Sequence, residues 1–318
     1  MTNSPIAFLF PGQGSQAVGM GKELAEKYAA ARQIFAEADD VLGLNLSQLC
    51  FEGPEDQLRL TEITQPAILT VSVAAFRVLA AEGVKPSFAA GHSLGEYSAH
   101  VAAGSIAFAD ALRTVRNRGR YMQEAVPVGV GAMAAIVGLN SSQVVAICHE
   151  SAQGEVCQPA NLNTPEQIVI SGHAAAVERA TNLAKERGAK RALHLPVSAP
   201  FHCPLMKPAQ DRLAADLSAV SFHAPAISVV CNVDAVLVTD AVASRDALVR
   251  QITGAVKWDE SVRCLIAHRA EAFVEVGPGK VLWGMMRQID RHKTSLYVND
   301  ESSLQKTLEH FIQLSKVG

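Results

Sequence analysis

The sequence predicts an α/β fold in which a parallel sheet carries a smaller inserted unit. Two patterns point to it. Apolar runs that stop at glycine turns and lead into helical spacing recur along most of the chain, and between residues 129 and 196 the order changes to β-α-β-β-α-β. With 318 residues, 49% of them hydrophobic, the chain can bury a full core and still support such an insertion.

Taken in order, "IAFLF" (6–10) is an apolar run that stops at "PGQGSQ", and "GKELAEKYAAARQIFAEADDVL" (21–42) then alternates apolar and charged residues at helical spacing. A second unit has the helix "TQPAILTVSVAAFRVLAAEG", a short strand at "SFAAG" (87–91), a tight turn and a helix over 94–103; "DALRTVRNRGRYMQEAVP" is a further helix. Next come a strand at "GAMAAIVGL", a helix at "SSQVVAICHESAQG", strands at "VCQPANLN" and "QIVISGH", a helix at "AAAVERATNLAKERG" and a strand at "KRALHLP". That order is ferredoxin-like. The expected division is therefore a large unit of residues 1–128 and 197–318 and a small unit of 129–196, with a cleft at their junction. The parent pattern resumes with a strand at "AISVVCNV", a helix near "SRDALVRQIT", a strand and glycine turn at "EAFVEVGPG" and a C-terminal helix "SLQKTLEHFIQLSK".

Composition excludes several classes of function. The 28 basic and 31 acidic residues leave a net charge of -3, so no overall field favours nucleic acid or an anionic membrane. Six cysteines lack C-x-x-C spacing and read as reduced thiols with no zinc site. The start "MTNSPIAFLFPGQGS" has no signal-peptide character, and no run approaches the eighteen apolar residues of a membrane span; a cytoplasmic location is expected.

The chemistry centres on "GHSLG", a G-x-S-x-G pattern that sets Ser93 on a sharp strand-to-helix turn. A serine nucleophile needs a base. His92 precedes Ser93 in the turn and its side chain leaves in another direction, while His100 sits two helical turns on. His202 fits better, because Pro196, Pro200 and Pro204 make its loop stiff and sharply turned where the chain returns from the insertion. A hydrolase would also place an acid between serine and histidine, yet Asp110, Glu124, Glu150, Glu155, Glu166, Glu178 and Glu186 fall on helix surfaces or in the insertion. A backbone carbonyl or an amide can orient the base instead. For an oxyanion, the N–H of Leu94 is one donor and the "PGQGSQ" turn, with Gln13 between its glycines, offers a second. Neither this turn nor "EVGPGKVL" has the G-x-x-x-x-G-K-[ST] pattern of a phosphate loop. Among Arg113, Arg116, Arg118 and Arg120, Arg118 precedes Gly119, where it can turn inward beside a close backbone as a ligand for an anion.

Eight stretches in order, "FLFPGQGSQ", "TQPAILT", "GHSLGEYSA", "RGRYMQEAVP", "NLNTPEQIVISG", "VSAPFH", "ALVRQI…VKWDESV" and "EVGPGKVL", together resemble the malonyl-CoA:acyl carrier protein transacylase family over nearly the whole chain. A more distant resemblance is to the acyltransferase domains of polyketide synthases. The resemblance implies an α/β-hydrolase-like core with a ferredoxin-like small subdomain. It implies Ser93 as nucleophile and His202 as base, with oxyanion donors at Gln13 and Leu94 and the Gln251 carbonyl orienting His202. Arg118 would bind the malonyl carboxylate, Gln65 would lie beside the acyl group, and Phe201 is the position where acyl size is sensed. Malonyl-CoA and acyl carrier protein are the implied partners, the latter bringing the phosphopantetheine thiol; no metal or redox cofactor, nucleic acid or membrane is implied. A serine esterase or thioesterase on the same elbow, a free-standing polyketide-type acyltransferase and a non-catalytic carrier-binding module are the alternatives. Carrier protein is acidic in this family, so Lys190 and Arg191, with Lys280 and Arg287, are candidates for a basic docking surface.

Overall fold

The computed structural model describes residues 5–197 and 199–317. The termini of the expected large unit, residues 1–4 and 318, and Ser198 of "VSAPFH" lie outside the described residues.

Ten strands form two sheets among the described residues. They are β1 Ile6–Phe10, β2 Phe88–Gly91, β3 Gly131–Val137, β4 Cys157–Thr164, β5 Gln167–His173, β6 Arg191–His194, β7 Ser228–Val230, β8 Leu237–Val238, β9 Ala272–Val276 and β10 Thr294–Val298. The first sheet runs β10-β9-β1-β2-β7-β8, parallel throughout except for the edge pair β7 and β8. The second, β4-β5-β3-β6, is wholly antiparallel. A mixed α/β protein with a parallel-containing sheet and a separate antiparallel sheet is the result.

Strand β1 shows why the large sheet sits at the centre. All five residues are buried, and alternate side chains feed opposite layers: Phe8 and Phe10 join a core with helix Thr61–Ala81, whereas Ala7 and Leu9 join one with Trp258, Phe273 and Met286. Burial on both faces is what makes a parallel strand a continuous apolar run. Contrary to the expectation that no run approaches a membrane span, helix Thr61–Ala81 is long and apolar enough to cross a membrane, but 83% of its most apolar stretch is buried inside the protein. Its apolarity belongs to a core helix. In the small sheet, Ala134 and Ile136 of β3 pack under helices Ser141–Ala152 and Ala174–Glu186, while Met133 on the other face joins the large core.

Several expected elements change. The helix over 21–42 is two helices, Lys22–Lys27 and Ala29–Leu42, parted where Tyr28 adopts extended backbone (φ -116°, ψ 121°) against the local propensity. Helices Leu46–Glu52, Lys207–Ala219, Trp258–Ala267 and Val281–Ile289 and strand β10 were not foreseen; β10 is a half-buried edge strand whose pattern is weak.

Candidate active site

The turn after β2 is built by close backbone approach. A Cβ on Gly91 would collide with the backbone of Gly95, and one on Gly95 with the carbonyl of Phe10 in β1. Only glycine at both positions lets helix Gly95–Ala102 start so close to the strand ends. Ser93 between them takes φ 53°, a left-handed conformation that non-glycine residues hold only when their surroundings enforce it. Asn232, just after β7, supplies the clamp: its Oδ1 accepts from Ser93 N at 2.7 Å and its Nδ2 donates to Gly91 O at 2.7 Å. The "PGQGSQ" turn is pressed onto the elbow, since a Cβ on Gly12 would run into the His92 carbonyl.

His202 also has positive φ, 59°, in the loop that leads out of β6. Its Nε2 lies 2.8 Å from Ser93 Oγ and its Nδ1 2.8 Å from the carbonyl oxygen of Gln251. A carbonyl only accepts, so Nδ1 carries the proton and Nε2 is free to accept from the serine hydroxyl. Burial, followed by the positive charge of Arg118, holds the His202 pKa down at about 3, so the imidazole is neutral near pH 7. His92 instead meets Asn163 Oδ1 at 2.8 Å and plays no part in the serine-histidine pair. His100 is fully buried.

Arg118 is the unusual member. It is only 1% exposed, yet its acceptors are all neutral: Gln65 Oε1 at 2.7 Å from Nη1, and Ser93 Oγ at 3.0 Å and Gln251 Oε1 at 2.9 Å from Nη2. Among the described residues its Nε has no hydrogen-bond partner. Gly119 explains the inward turn, because a Cβ there would sit 2.5 Å from the Thr61 carbonyl oxygen; the helix Phe108–Glu124 therefore presses against Thr61–Ala81, bringing Arg118 to Gln65. Burial lowers the Arg118 pKa, against the influence of Tyr97 and Glu96.

Gln13, Gln65, Ser93, Leu94, Arg118, Phe201 and His202 thus line one chamber of about 110 Å³, with Gln251 directly behind it. A wider groove of about 530 Å³ shares Gln13, His92, Asn161, Leu195 and Val197 with the chamber and runs between the two sheets. Sequence reasoning did not find Asn163, Asn232 or Glu96; the last accepts from Gln251 Nε2 and Asn232 N, and no local pattern sets it apart from an ordinary helix residue. Of the basic candidates, Lys190 pairs with Glu166 at 3.1 Å, Arg287 lies over the Trp283 ring, and Lys280 directly precedes Val281 of the groove wall.

A neutral imidazole on a strained serine, beside a buried cation whose direct hydrogen-bond acceptors are neutral, suits covalent transfer of an acyl group that itself carries negative charge. Residues 7–300 match the acyl transferase domain family, and the chain belongs to it. Among its relatives, it is 52% identical over 304 residues to the malonyl CoA-acyl carrier protein transacylase of Salmonella typhimurium, across 95% of this chain and 98% of that protein. It is 47% identical to the same-named protein of Bacillus subtilis, across 96% and 97%. An acyl carrier protein S-malonyltransferase from Vibrio cholerae superposes with a TM-score of 0.94 at 51% identity, covering 96% of this chain and all of that one. A malonyl-transacylase solved in complex with a type II PKS acyl-carrier protein also gives 0.94, at 48% identity over 96% of this chain and 100% of that one.

Proposed function

We propose that the protein moves malonyl groups from malonyl-CoA to the phosphopantetheine thiol of acyl carrier protein, supplying chain-extender units for fatty acid synthesis. One observation carries the reading: the 1%-exposed Arg118 donates to Ser93 Oγ and has only neutral acceptors. A buried guanidinium with no carboxylate in hydrogen-bond contact is costly unless a ligand completes it. A malonyl carboxylate on Arg118 would bring its thioester carbonyl to Ser93.

Ser93 Oγ attacks the carbonyl carbon while its proton passes to His202 Nε2. The oxyanion is met by the N–H groups of Gln13 and Leu94, both lining the chamber. The C–S bond then breaks and the departing thiolate takes the proton back from His202. The malonyl-serine ester is discharged by the same steps in reverse, with the carrier thiol as nucleophile. The Gln251 carbonyl holds the base without a carboxylate, which supports transfer over the hydrolase order Ser…Asp…His. The groove, polar at Asn161, Asn163 and Gln167, suits the pantetheine arm common to both thiols. No resident cofactor or metal enters these steps.

In the same reading, residues 1–128 and 197–318 form an α/β-hydrolase-like unit and 129–196 an inserted ferredoxin-like one. The β4-β5-β3-β6 order supports this, as does the packing of Gly131 against Pro200, which sets the insertion's entry and exit side by side. The six free thiols fit a reducing cytoplasm. Intact-mass measurement after brief mixing with malonyl-CoA tests the proposal. The expected result is one malonyl group per chain, discharged by carrier protein; an unmodified protein, or an adduct lost equally fast to water alone, would overturn it.

A further inference from the structure

Glu96 is a fully buried carboxylate that none of these steps uses. It follows Ser93 by three residues, on helix Gly95–Ala102. Its Oε2 accepts from Gln251 Nε2 at 2.8 Å and from Asn232 N at 3.0 Å, while its Oε1 has no hydrogen-bond partner among the described residues. Gln251 in turn presents its Oε1 to Arg118 Nη2 at 2.9 Å. A carboxylate can only accept, so Glu96 dictates which end of the Gln251 amide faces the guanidinium. Cation, amide and anion form one buried chain, with the amide between the two charges.

Resting on the transferase reading, we propose that Glu96 is a positioning residue, the internal counterion of Arg118 held one amide away through Gln251, and that it moderates how strongly the guanidinium prefers a carboxylate-bearing acyl group. At this remove Glu96 stabilises the buried cation of the empty site without occupying its N–H groups. A substrate carboxylate then brings a second anion to the same cation. When Glu96 is ionised the two anions repel; when it is protonated, on the bare Oε1, the full field of Arg118 acts on the substrate.

Burial raises the Glu96 pKa to about 7, against the hydrogen bonds from Gln251 and Asn232 and the charge of Arg118, so both forms are reached near neutrality. The other titratable groups buried around it are shifted by the same burial. Arg118 and Arg250 remain cations. Burial pushes the Tyr97 hydroxyl and the Cys231 thiol up, lowers the His92 pKa, and holds His100 and His202 down at about 4 and about 3 as neutral imidazoles. Strands β1 and β2, packed against this helix, contain no titratable side chain, and on helix Thr61–Ala81 Glu62 and Arg77 lie outside the buried core.

The experiment compares rates of acyl-enzyme formation from malonyl-CoA and acetyl-CoA, by rapid-quench intact mass, in wild type and Glu96→Gln. Glutamine keeps an acceptor for Gln251 and Asn232 and removes the charge. The His202 pKa, held down at about 3, lies well below this pH range, so titration of the base stays out of the ratio. The malonyl to acetyl ratio of wild type should rise roughly tenfold from about pH 8.5 to about pH 6, as expected for one unit charge acting through the effective interior dielectric. In Glu96→Gln it should be flat at the higher value. A flat ratio in wild type, or an unchanged slope in the variant, overturns the proposal while leaving malonyl transfer intact. If the variant does not fold, the wild-type series alone decides. Absence of any malonyl adduct in wild type overturns the transferase reading and this proposal together.

Discussion

At the floor of the chamber, Arg118 lies buried among two amide oxygens and a hydroxyl. At the nearby surface, Arg250 is 41% exposed and holds two carboxylates, Asp234 at 2.7 Å and Asp246 at 2.6 Å. Gln251 joins the two regions, being next in sequence to one arginine and bonded to the other. Charge is thus neutralised where water would have screened it cheaply, and left open where desolvation is most expensive. Stability alone favours the opposite arrangement. On the proposed reading the floor receives an anion that arrives from outside, whereas the surface seam ties down a helix end.

Mutations can break this contrast at graded depth. The largest effect belongs to Ser93→Ala, which should abolish the covalent malonyl adduct in intact-mass spectra; an adduct that persisted would detach the open cation from any covalent site. His202→Ala comes next, with transfer to carrier protein falling about 10⁴-fold while the folded far-UV circular dichroism is kept. Arg118→Ala removes both the penalty on a neutral acyl group and the reward for a charged one. Leaving a buried charge unpaired costs about 3 to 5 kcal/mol, so the malonyl to acetyl ratio of acylation rates should drop by roughly a thousandfold. A ratio that held steady would make Arg118 a structural residue like its neighbour. The smallest effect is expected for Arg250→Ala, a loss of less than about 1 kcal/mol in denaturant unfolding with the acyl ratio preserved. A loss of selectivity there would merge the two regions into one.

How far the site could be read in advance follows the range of the interactions that make it. The elbow was legible because Gly91, Ser93 and Gly95 encode it within five residues, and Arg118 because Gly119 marks a close helix contact. His202 could be picked out by its proline-bounded loop. Asn232 and Glu96 were not, because their roles exist only across 136 to 141 residues of separation, where nothing in the local sequence announces a partner. The same logic holds for the fold. Strand β1 and the β-α-β-β-α-β order stand out through burial on both faces and clear periodicity, while short amphipathic helices such as Trp258–Ala267 and the edge strand β10 owe their form to the layer they pack on. The break at Tyr28, against helix-favouring neighbours, is tertiary packing overruling propensity.

The field of Arg118 on His202 has a consequence in time rather than in affinity. A neutral acyl thioester seated in the chamber would meet a base still weakened by the neighbouring guanidinium. A carboxylate placed on Arg118 offsets that field, strengthens the imidazole and hastens removal of the Ser93 proton. The wrong thioester would then spend its residence waiting and depart unreacted, so fidelity would be decided by a race between departure and acylation, a clock started only by the charge on the substrate.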